Sequence, residues 1–155
     1  MAEHRASLSW KRGEREFTYD SYSRDHEWSF EGGIKVAASA APGYLGSAER
    51  VNPEEAFVAS LSSCHMLTFL AVAAKRRFVV DAYDDEAVGH LEKNEEGKLA
   101  VTRVILHPKV IFGGEKRPTE EQIATMHKQS HEQCFIASSV KTAVSVEPSP
   151  ITEST

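Results

Sequence analysis

Positions 52–70 carry the segment that decides the fold, Asn52-Pro-Glu-Glu-Ala-Phe-Val-Ala-Ser-Leu-Ser-Ser-Cys-His-Met-Leu-Thr-Phe-Leu70. Its start is typical of a helix: Asn52 is a favoured N-cap, Pro53 suits the first helical position, and Glu55 completes an Asn-x-x-Glu capping box. Small and apolar residues then follow. The pattern predicts a helix from residue 53 to about residue 77, with Cys64 about three turns inside it.

The apolar part of this helix has two interpretations. Residues 56–74 contain no Asp, Glu, Lys or Arg and are about as long as a bilayer-spanning segment. Polar side chains nevertheless interrupt the stretch, at Ser60, Ser62, Ser63, His65 and Thr68. We therefore expect a central helix buried on most sides rather than a membrane segment, and its small residues would let another helix approach closely.

Strand signals lie on both sides of the helix. We predict short strands at 4–12 and 15–20, forming a hairpin around Gly13, and an extended segment at 34–40. After the helix, alternating residues predict strands at 79–91 and 99–112, joined by a hairpin turn at 94–97.

A second helix follows the second pair of strands. Thr119-Glu-Glu-Gln122 repeats the capping-box pattern, so we predict a helix from about residue 120 toward 140, with a break near 131–134. A last strand is predicted at 142–147. This order of elements indicates an α+β fold with a mainly antiparallel sheet and helices packed on it. We expect a single domain over residues 1–147 and a disordered tail at 148–155.

Composition narrows the function classes. The net charge of −5 disfavours nucleic acid as a partner, and the apolar fraction of 41% is ordinary for a globular protein. Neither a Gly-x-Ser-x-Gly elbow nor a phosphate-binding loop occurs in the sequence. The first residues lack an apolar signal-peptide core, so we expect a cytoplasmic protein with reduced thiols, in which any disulfide would be transient and catalytic.

The chain has two cysteines, Cys64 and Cys134. Three interpretations remain open from the residues alone: inert core thiols, ligands of a metal together with His65 and His131, or the two halves of a thiol–disulfide cycle. The helix turns around Cys64 contain no cation, and a thiol in apolar surroundings is unreactive. A functional Cys64 therefore requires an Arg or Lys from elsewhere in the chain.

Two arginines are candidates for that cation. Arg24 lies in the unusual run Ser23-Arg-Asp-His-Glu-Trp28, and Arg50 lies just before the first helix. Glu54 precedes Cys64 by ten residues, which is roughly 15 Å of helix rise, so it cannot touch Cys64 within one straight helix. A catalytic role for Glu54 would consist of holding the arginine or would come from a second subunit.

These segments resemble a known family. Asn52-Pro-Glu-Glu, followed ten residues after Glu54 by Cys64, resembles the first motif of the OsmC/Ohr family of osmotically inducible and organic hydroperoxide resistance proteins. His131-Glu-Gln-Cys134 resembles the second-cysteine motif of that family, although Phe135 stands where proline is usual. His65 also stands where the family commonly has an aromatic or apolar residue. The run from Tyr22 to Gly33 is typical of neither OsmC nor Ohr and indicates a separate branch.

The resemblance implies both a fold and an activity. The fold would be an intertwined homodimer with a highly curved sheet and two central helices. The activity would be thiol-dependent reduction of organic hydroperoxides, and more weakly of hydrogen peroxide, with an external dithiol reductant and without a metal or bound cofactor. Cys64 would be the peroxidatic cysteine and Cys134 the resolving one, while Arg24 would activate the thiolate and Glu54 would orient the arginine. A non-catalytic binding or scaffolding dimer is the alternative.

Overall fold

The computed structural model describes residues 1–150, which form two long helices, eight strands and two short 3₁₀ turns. The helices are α1 (Pro53–Lys75) and α2 (Glu120–Gln133). The strands are β1 (Ala6–Ser9), β2 (His26–Phe30), β3 (Lys35–Ala38), β4 (Val79–Asp85), β5 (Val88–Lys93), β6 (Leu99–Leu106), β7 (Pro108–Gly113) and β8 (Ala143–Val146). The 3₁₀ turns are Pro42–Tyr44 and Ala137–Ser139. This set of helices and strands confirms the predicted α+β class.

The chain divides into two compact units, residues 1–56 and the residues from 57 onward. In the first unit, β1, β2 and β3 form an antiparallel sheet in chain order. An isolated bridge then pairs Ala38 with Val51, directly before the first residue of α1. Because α1 begins in the first unit and continues in the second, the single domain over 1–147 stays a prediction.

The second unit contains the rest of the sheet structure. β4 pairs with β7, and β5 pairs with β6, in both cases antiparallel, while β8 joins the other edge of β6 in parallel. The two long strands predicted at 79–91 and 99–112 are therefore each divided in two, at residues 86–87 and at His107. The predicted turn at 94–97 is confirmed, since Asn94 and Lys98 close it and Gly97 adopts a φ of 77°.

Helix α1 is buried along one stripe. Its buried residues recur at every fourth position, namely Leu61, His65, Phe69 and Ala73. Leu61 packs with Val104 and Leu106 of β6, whereas Phe69 and Ala73 pack with Ile123 and Met126 of α2 and with β7.

The other faces of α1 are less covered. Leu67 is 61% exposed, and only 28% of the most apolar 18-residue stretch is buried. The expected burial on most sides is therefore not found in the single chain. By length and composition α1 could span a membrane, a test that the core helices of soluble proteins also pass.

Three local predictions were wrong. Residues 15–20 form turns rather than a strand, and β1 pairs with β2 instead of closing a hairpin at Gly13. Helix α2 ends at Gln133, inside the predicted break at 131–134, because Cys134 adopts an extended conformation with a ψ of 117°. Only the 3₁₀ turn Ala137–Ser139 follows, so the predicted continuation of the helix toward residue 140 is not found. The disordered tail at 148–155 stays a prediction. Within it, the backbone of Ser149 donates to the carbonyl oxygen of Pro108 at 2.9 Å, and residues 151–155 lie outside the described residues.

Candidate active site

The first turn of α1 fixes the start of the helix that carries Cys64. The backbone N–H of Glu55 donates to Asn52 Oδ1 at 2.9 Å, and Asn52 Nδ2 donates to Glu55 Oε1 at 2.7 Å. The predicted cap is thereby confirmed, with the return bond made between the side chains. Cys64 lies in the middle of α1 and is partly exposed, and its carbonyl oxygen accepts a hydrogen bond from Thr68 Oγ1 at 2.9 Å.

The second thiol lies just beyond α2. Cys134 is the C-cap of α2, and its residue surface is 1% exposed. Its Sγ accepts a hydrogen bond from the backbone N–H of Ala137 at 3.4 Å, so the 3₁₀ turn at Ala137–Ser139 closes over the sulfur.

The structure brings the two thiols together, and both are free. Burial raises the pKa of the Cys134 thiol, and the hydrogen bond with the Cys64 thiol raises it further. Before any oxidation, Cys134 is therefore a neutral thiol that lies near Cys64. A disulfide between them requires the sulfur atoms to close to about 2.05 Å.

Arg24 is bound to its own loop in the first unit. Its guanidinium donates from Nη1 to the carbonyl oxygen of Tyr22 at 2.6 Å and from Nη2 to that of Tyr19 at 2.5 Å. The same guanidinium lies over the ring of Tyr22, 3.6 Å from its centroid. Arg24 also lines an apolar cavity of about 390 Å³ with Trp10, Phe17 and Tyr22. Its activating role at Cys64 stays a prediction.

His26 anchors the backbone of Arg24. Trp28 Nε1 lies 3.0 Å from His26 Nε2, and because an indole N–H only donates, His26 Nε2 must be the unprotonated acceptor. The proton of the neutral ring is then on Nδ1, which donates to the carbonyl oxygen of Arg24 at 2.8 Å. Two neighbours therefore select one tautomer of His26.

Arg50, the rival cation, is engaged elsewhere in the first unit. Its Nε lies 3.4 Å from Asp25 Oδ2, and its Nη1 donates to the carbonyl oxygen of His26 at 3.0 Å. The hydrogen bond from Ser47 lowers the pKa of Asp25 most, and Arg50 lowers it further. These contacts give Arg50 a structural role beside Asp25.

Glu54 lies in the first turn of α1, as predicted. Its Oε2 is buried and has no hydrogen-bond partner among residues 1–150. A buried carboxylate oxygen is costly unless a donor or cation satisfies it. This arrangement is suited to binding a guanidinium, and the role of Glu54 in orienting one stays a prediction.

Comparisons with known proteins identify the family of this chain. The sequence profile of the family described as OsmC-like protein matches residues 46–149. The chain belongs to the OsmC-like protein family. It is 51% identical to an OsmC-like protein of unknown function from Vibrio cholerae, with a TM-score of 0.94 over 96% of this chain and 100% of that one.

Two more distant structures share the OsmC-like fold. One is an organic hydroperoxide resistance protein from Elizabethkingia anophelis, with 16% identity, a TM-score of 0.71 and coverage of 99% of this chain and 98% of that one. The other is the organic hydroperoxide resistance protein OhrB of Bacillus subtilis, with 17% identity, a TM-score of 0.65 and coverage of 96% and 98%. No curated protein sequence matched the chain.

A buried histidine pair in this OsmC-like chain was missed by the sequence analysis. His65 of α1 and His127 of α2 are 1% and 4% exposed, and His65 Nε2 lies 3.0 Å from His127 Nδ1. His127 was not singled out from the sequence alone. The missed signal was its spacing, since Ile123, His127 and Ser130 share one face of α2 and all three are buried.

A metal interpretation finds little support in this OsmC-like chain. Within residues 1–150, no three or more His, Cys, Asp or Glu side chains are grouped so as to hold a metal ion. Of the residues considered as ligands, Cys64 instead neighbours Cys134, and His65 is hydrogen-bonded to His127.

Proposed function

We propose that this protein is a thiol-dependent peroxidase that reduces organic hydroperoxides, and hydrogen peroxide more weakly, in oxidative-stress defence. The observation that carries the proposal is that two free thiols are neighbours, Cys64 within α1 and Cys134 at the end of α2, close enough for Cys64 to add to the rise that burial causes in the pKa of Cys134. Membership of the OsmC-like family supports it, since proteins of the same fold include organic hydroperoxide resistance proteins.

The chemistry has two steps on the protein and one with a reductant. The Cys64 thiolate attacks the hydroxyl oxygen of the hydroperoxide, the O–O bond breaks, and the alkoxide leaves with the electron pair and takes up a proton to become an alcohol. Cys134 then attacks the resulting Cys64 sulfenic acid, releases water and forms a disulfide. An external dithiol reduces the disulfide by exchange and becomes a disulfide itself.

The relative exposure of the two thiols suits this order of events. Cys64 is partly exposed and therefore open to a substrate, whereas Cys134 is buried against it. A neutral Cys134 with a raised pKa competes poorly for the peroxide, because the thiolate is the nucleophile. Cys64 is therefore the peroxidatic residue and Cys134 the resolving one.

Arg24 and Glu54 are proposed to prepare Cys64. Arg24 uses two of its five guanidinium N–H groups on the loop carbonyls, which leaves donors for a thiolate or a leaving oxygen. The Oε2 of Glu54, which is buried and has no hydrogen-bond partner in the part of the chain that the structure describes, supports a role in holding that guanidinium. A guanidinium aimed at the leaving oxygen would stabilise charge that develops in the transition state.

An organic substrate is supported by apolar surroundings. The cavity beside Arg24 is walled mainly by Trp10, Phe17 and Tyr22. On the thiol side, Phe57 and Ile136 pack around Leu61, one turn before Cys64. Apolar walls favour an alkyl or aryl hydroperoxide over hydrogen peroxide, because burying apolar substrate surface contributes about 25 cal/mol per Å².

A homodimer is proposed to cover the rest of α1. The helix is apolar on faces that the single chain leaves partly open, including Leu67. A second copy would bury these faces. Light scattering of the purified protein should give twice the chain mass of 17.2 kDa, and a stable monomer at micromolar concentration would contradict the dimer.

Mass spectrometry after one equivalent of cumene hydroperoxide tests the peroxidase proposal. The expected product has lost two hydrogens and contains a cross-link between the Cys64 and Cys134 peptides. An unchanged mass with the peroxide left intact would refute it and favour the binding or scaffolding dimer. Zinc analysis of the same preparation separates the metal-binding alternative.

A further inference from the structure

The buried histidine pair connects the two helices that carry the thiols. His65 directly follows Cys64 on α1, and His127 precedes Cys134 by seven residues, about two turns or 10 Å along α2. The Nε2 of His65 lies 3.0 Å from the Nδ1 of His127. The two rings are parallel to within 7°, and Phe69 stacks on His127 at a centroid distance of 4.3 Å.

The pair depends on each imidazole for its hydrogen bond. One ring must donate and the other accept, so two protonated rings cannot form the bond. The outer nitrogens, His65 Nδ1 and His127 Nε2, have no partner among the described residues. Each ring is therefore committed to its neighbour, and leaving a buried imidazole without that bond would cost a desolvation penalty.

The groups that face the pair come from three elements. His131 of α2 and Asp85 of β4 act electrostatically on His65, and Phe69 of α1 packs against His127. Burial lowers the pKa of both imidazoles to about 4, so both are neutral at physiological pH and the donor–acceptor bond is intact. The apolar contact of Phe69 and Ala73 with Met126 also joins α1 to α2, but that contact has no directional preference.

We propose that His65 and His127 are positioning residues for disulfide formation, holding α2 in the register at which the Cys134 thiol lies against Cys64. The inference rests on the proposed peroxidase function for its biological meaning. In that cycle, a Cys64 sulfenic acid condenses with Cys134 or is oxidised further by a second peroxide to a sulfinic acid. Correct register favours condensation, because the resolving thiol is already in place.

Two variants of His127 form a matched pair for the test. His127→Asn keeps a polar atom near the position of Nδ1, whereas His127→Leu has a similar shape and cannot hydrogen-bond. Both leave the same space empty, so a difference between them reports the hydrogen bond rather than lost volume. His65→Gln and His65→Leu form a second pair, for use if circular dichroism finds a His127 variant unfolded.

The first measurement is the fate of Cys64 under excess cumene hydroperoxide. We expect the ratio of sulfinic acid to disulfide to rise in His127→Leu by up to about tenfold over His127→Asn, the factor that one buried hydrogen bond can supply. The rate of the first oxidation should be the same in both variants. An equal ratio in the two variants would overturn the inference.

The second measurement does not need peroxidase activity. Equilibration with oxidised and reduced glutathione gives the equilibrium constant for closing the Cys64–Cys134 disulfide, with two electrons passing to oxidised glutathione. The constant should be lower in His127→Leu than in His127→Asn by up to about tenfold. If the wild-type protein did not react with peroxide but the two variants differed in this constant, the proposed function would be refuted and the inference would stand. Equal constants would refute the inference alone.

Discussion

The cysteine region and the arginine region are built in different ways. Cys64 lies within α1 and Cys134 lies directly after α2, with the two thiols as neighbours and a buried histidine pair between the two helices. Arg24 lies in a loop of the first unit, where it binds the carbonyl oxygens of its own segment. The resolving half of the proposed cycle is thus assembled from long, regular elements, and the proposed activating residue is held by short-range contacts.

This difference has a functional consequence. Elements packed in a core hold a fixed geometry, whereas a loop bound to itself can change its contacts at low cost. Disulfide formation is favoured when the resolving thiol is already held near the peroxidatic sulfur, and activation requires a cation that reaches a substrate. Substitutions in one region at a time can therefore test whether the two regions have separate roles.

The largest effect is expected from Cys64→Ser. The hydroxyl of serine is a very weak nucleophile toward a peroxide, so turnover of cumene hydroperoxide with a dithiol should fall to the uncatalysed rate. Consumption of the peroxide, followed with a colorimetric assay, measures it. The paired control is Cys134→Ser, which should still consume one equivalent and then stall or over-oxidise. Residual catalytic turnover in Cys64→Ser would remove this cysteine from the mechanism.

Replacement of Arg24 is expected to give the second largest effect. Arg24→Gln removes the charge, and kcat/KM for cumene hydroperoxide should fall about 100-fold, the range seen when one transition-state donor is lost. Arg24→Lys should recover only part of that loss, because an ammonium cannot reproduce the guanidinium fork.

The same substitution at Arg50 is the control for Arg24. Arg50→Gln breaks the ion pair with Asp25 and is expected to affect thermal stability more than kcat/KM. If Arg50→Gln were the variant that lost activity, the two arginines would exchange roles and the comparison of regions would need revision.

The features that could be predicted from the sequence were those with local signals. The start of α1 was predictable because the signals of Asn52, Pro53 and Glu55 are local, and the same holds for the Thr119 cap of α2. The placement of Cys64 followed from that start. That Cys64 and Cys134 are neighbours was implied only by the family resemblance. A single sequence does not show whether two residues seventy positions apart lie close together in space.

Other features were decided by non-local pairing. The hairpin at Gly13 was wrong because β1 pairs with β2, and a register between distant segments has no local signal. The break at 131–134 was predicted, but helix was also expected beyond it because no glycine marks the end of α2 at Cys134. The His65–His127 bond escaped detection because a lone histidine on an apolar face does not reveal its partner.

Acid should weaken the cysteine region before the arginine region. Folding lowers the pKa of His65 and His127 from 6.5 to about 4, so below pH 6.5 the unfolded chain binds more protons than the folded chain. Their contribution to stability is complete above pH 6.5 and is lost as the pH falls through 4. Asp25 of the first unit, whose pKa is lowered from 3.8, loses its contribution only below that value.

Urea unfolding as a function of pH measures this difference. The free energy of unfolding should fall by roughly 3 kcal/mol for each histidine between about pH 7 and pH 4, because each pKa is lowered from 6.5 to about 4 and one unit of pKa difference is worth about 1.4 kcal/mol. The double variant His65→Gln, His127→Asn should flatten the curve in this window. A wild-type curve that is already flat there would show that the pair does not remain neutral on folding.

Glu54→Gln is expected to give the smallest effect and to separate function from stability. The Oε2 of Glu54 is buried without a partner in the described residues, so the carboxylate contributes little to stability and its replacement by a neutral amide should leave the melting temperature unchanged or raise it. If Glu54 orients a guanidinium, kcat/KM should nevertheless fall about tenfold, because a charge-assisted hydrogen bond is exchanged for a neutral one. Glu55→Gln, which keeps the side-chain bond to Asn52, is the control in the same helical turn. Loss of stability in Glu54→Gln without loss of activity would show that Glu54 stabilises the fold. It would also contradict its proposed role in orienting the arginine.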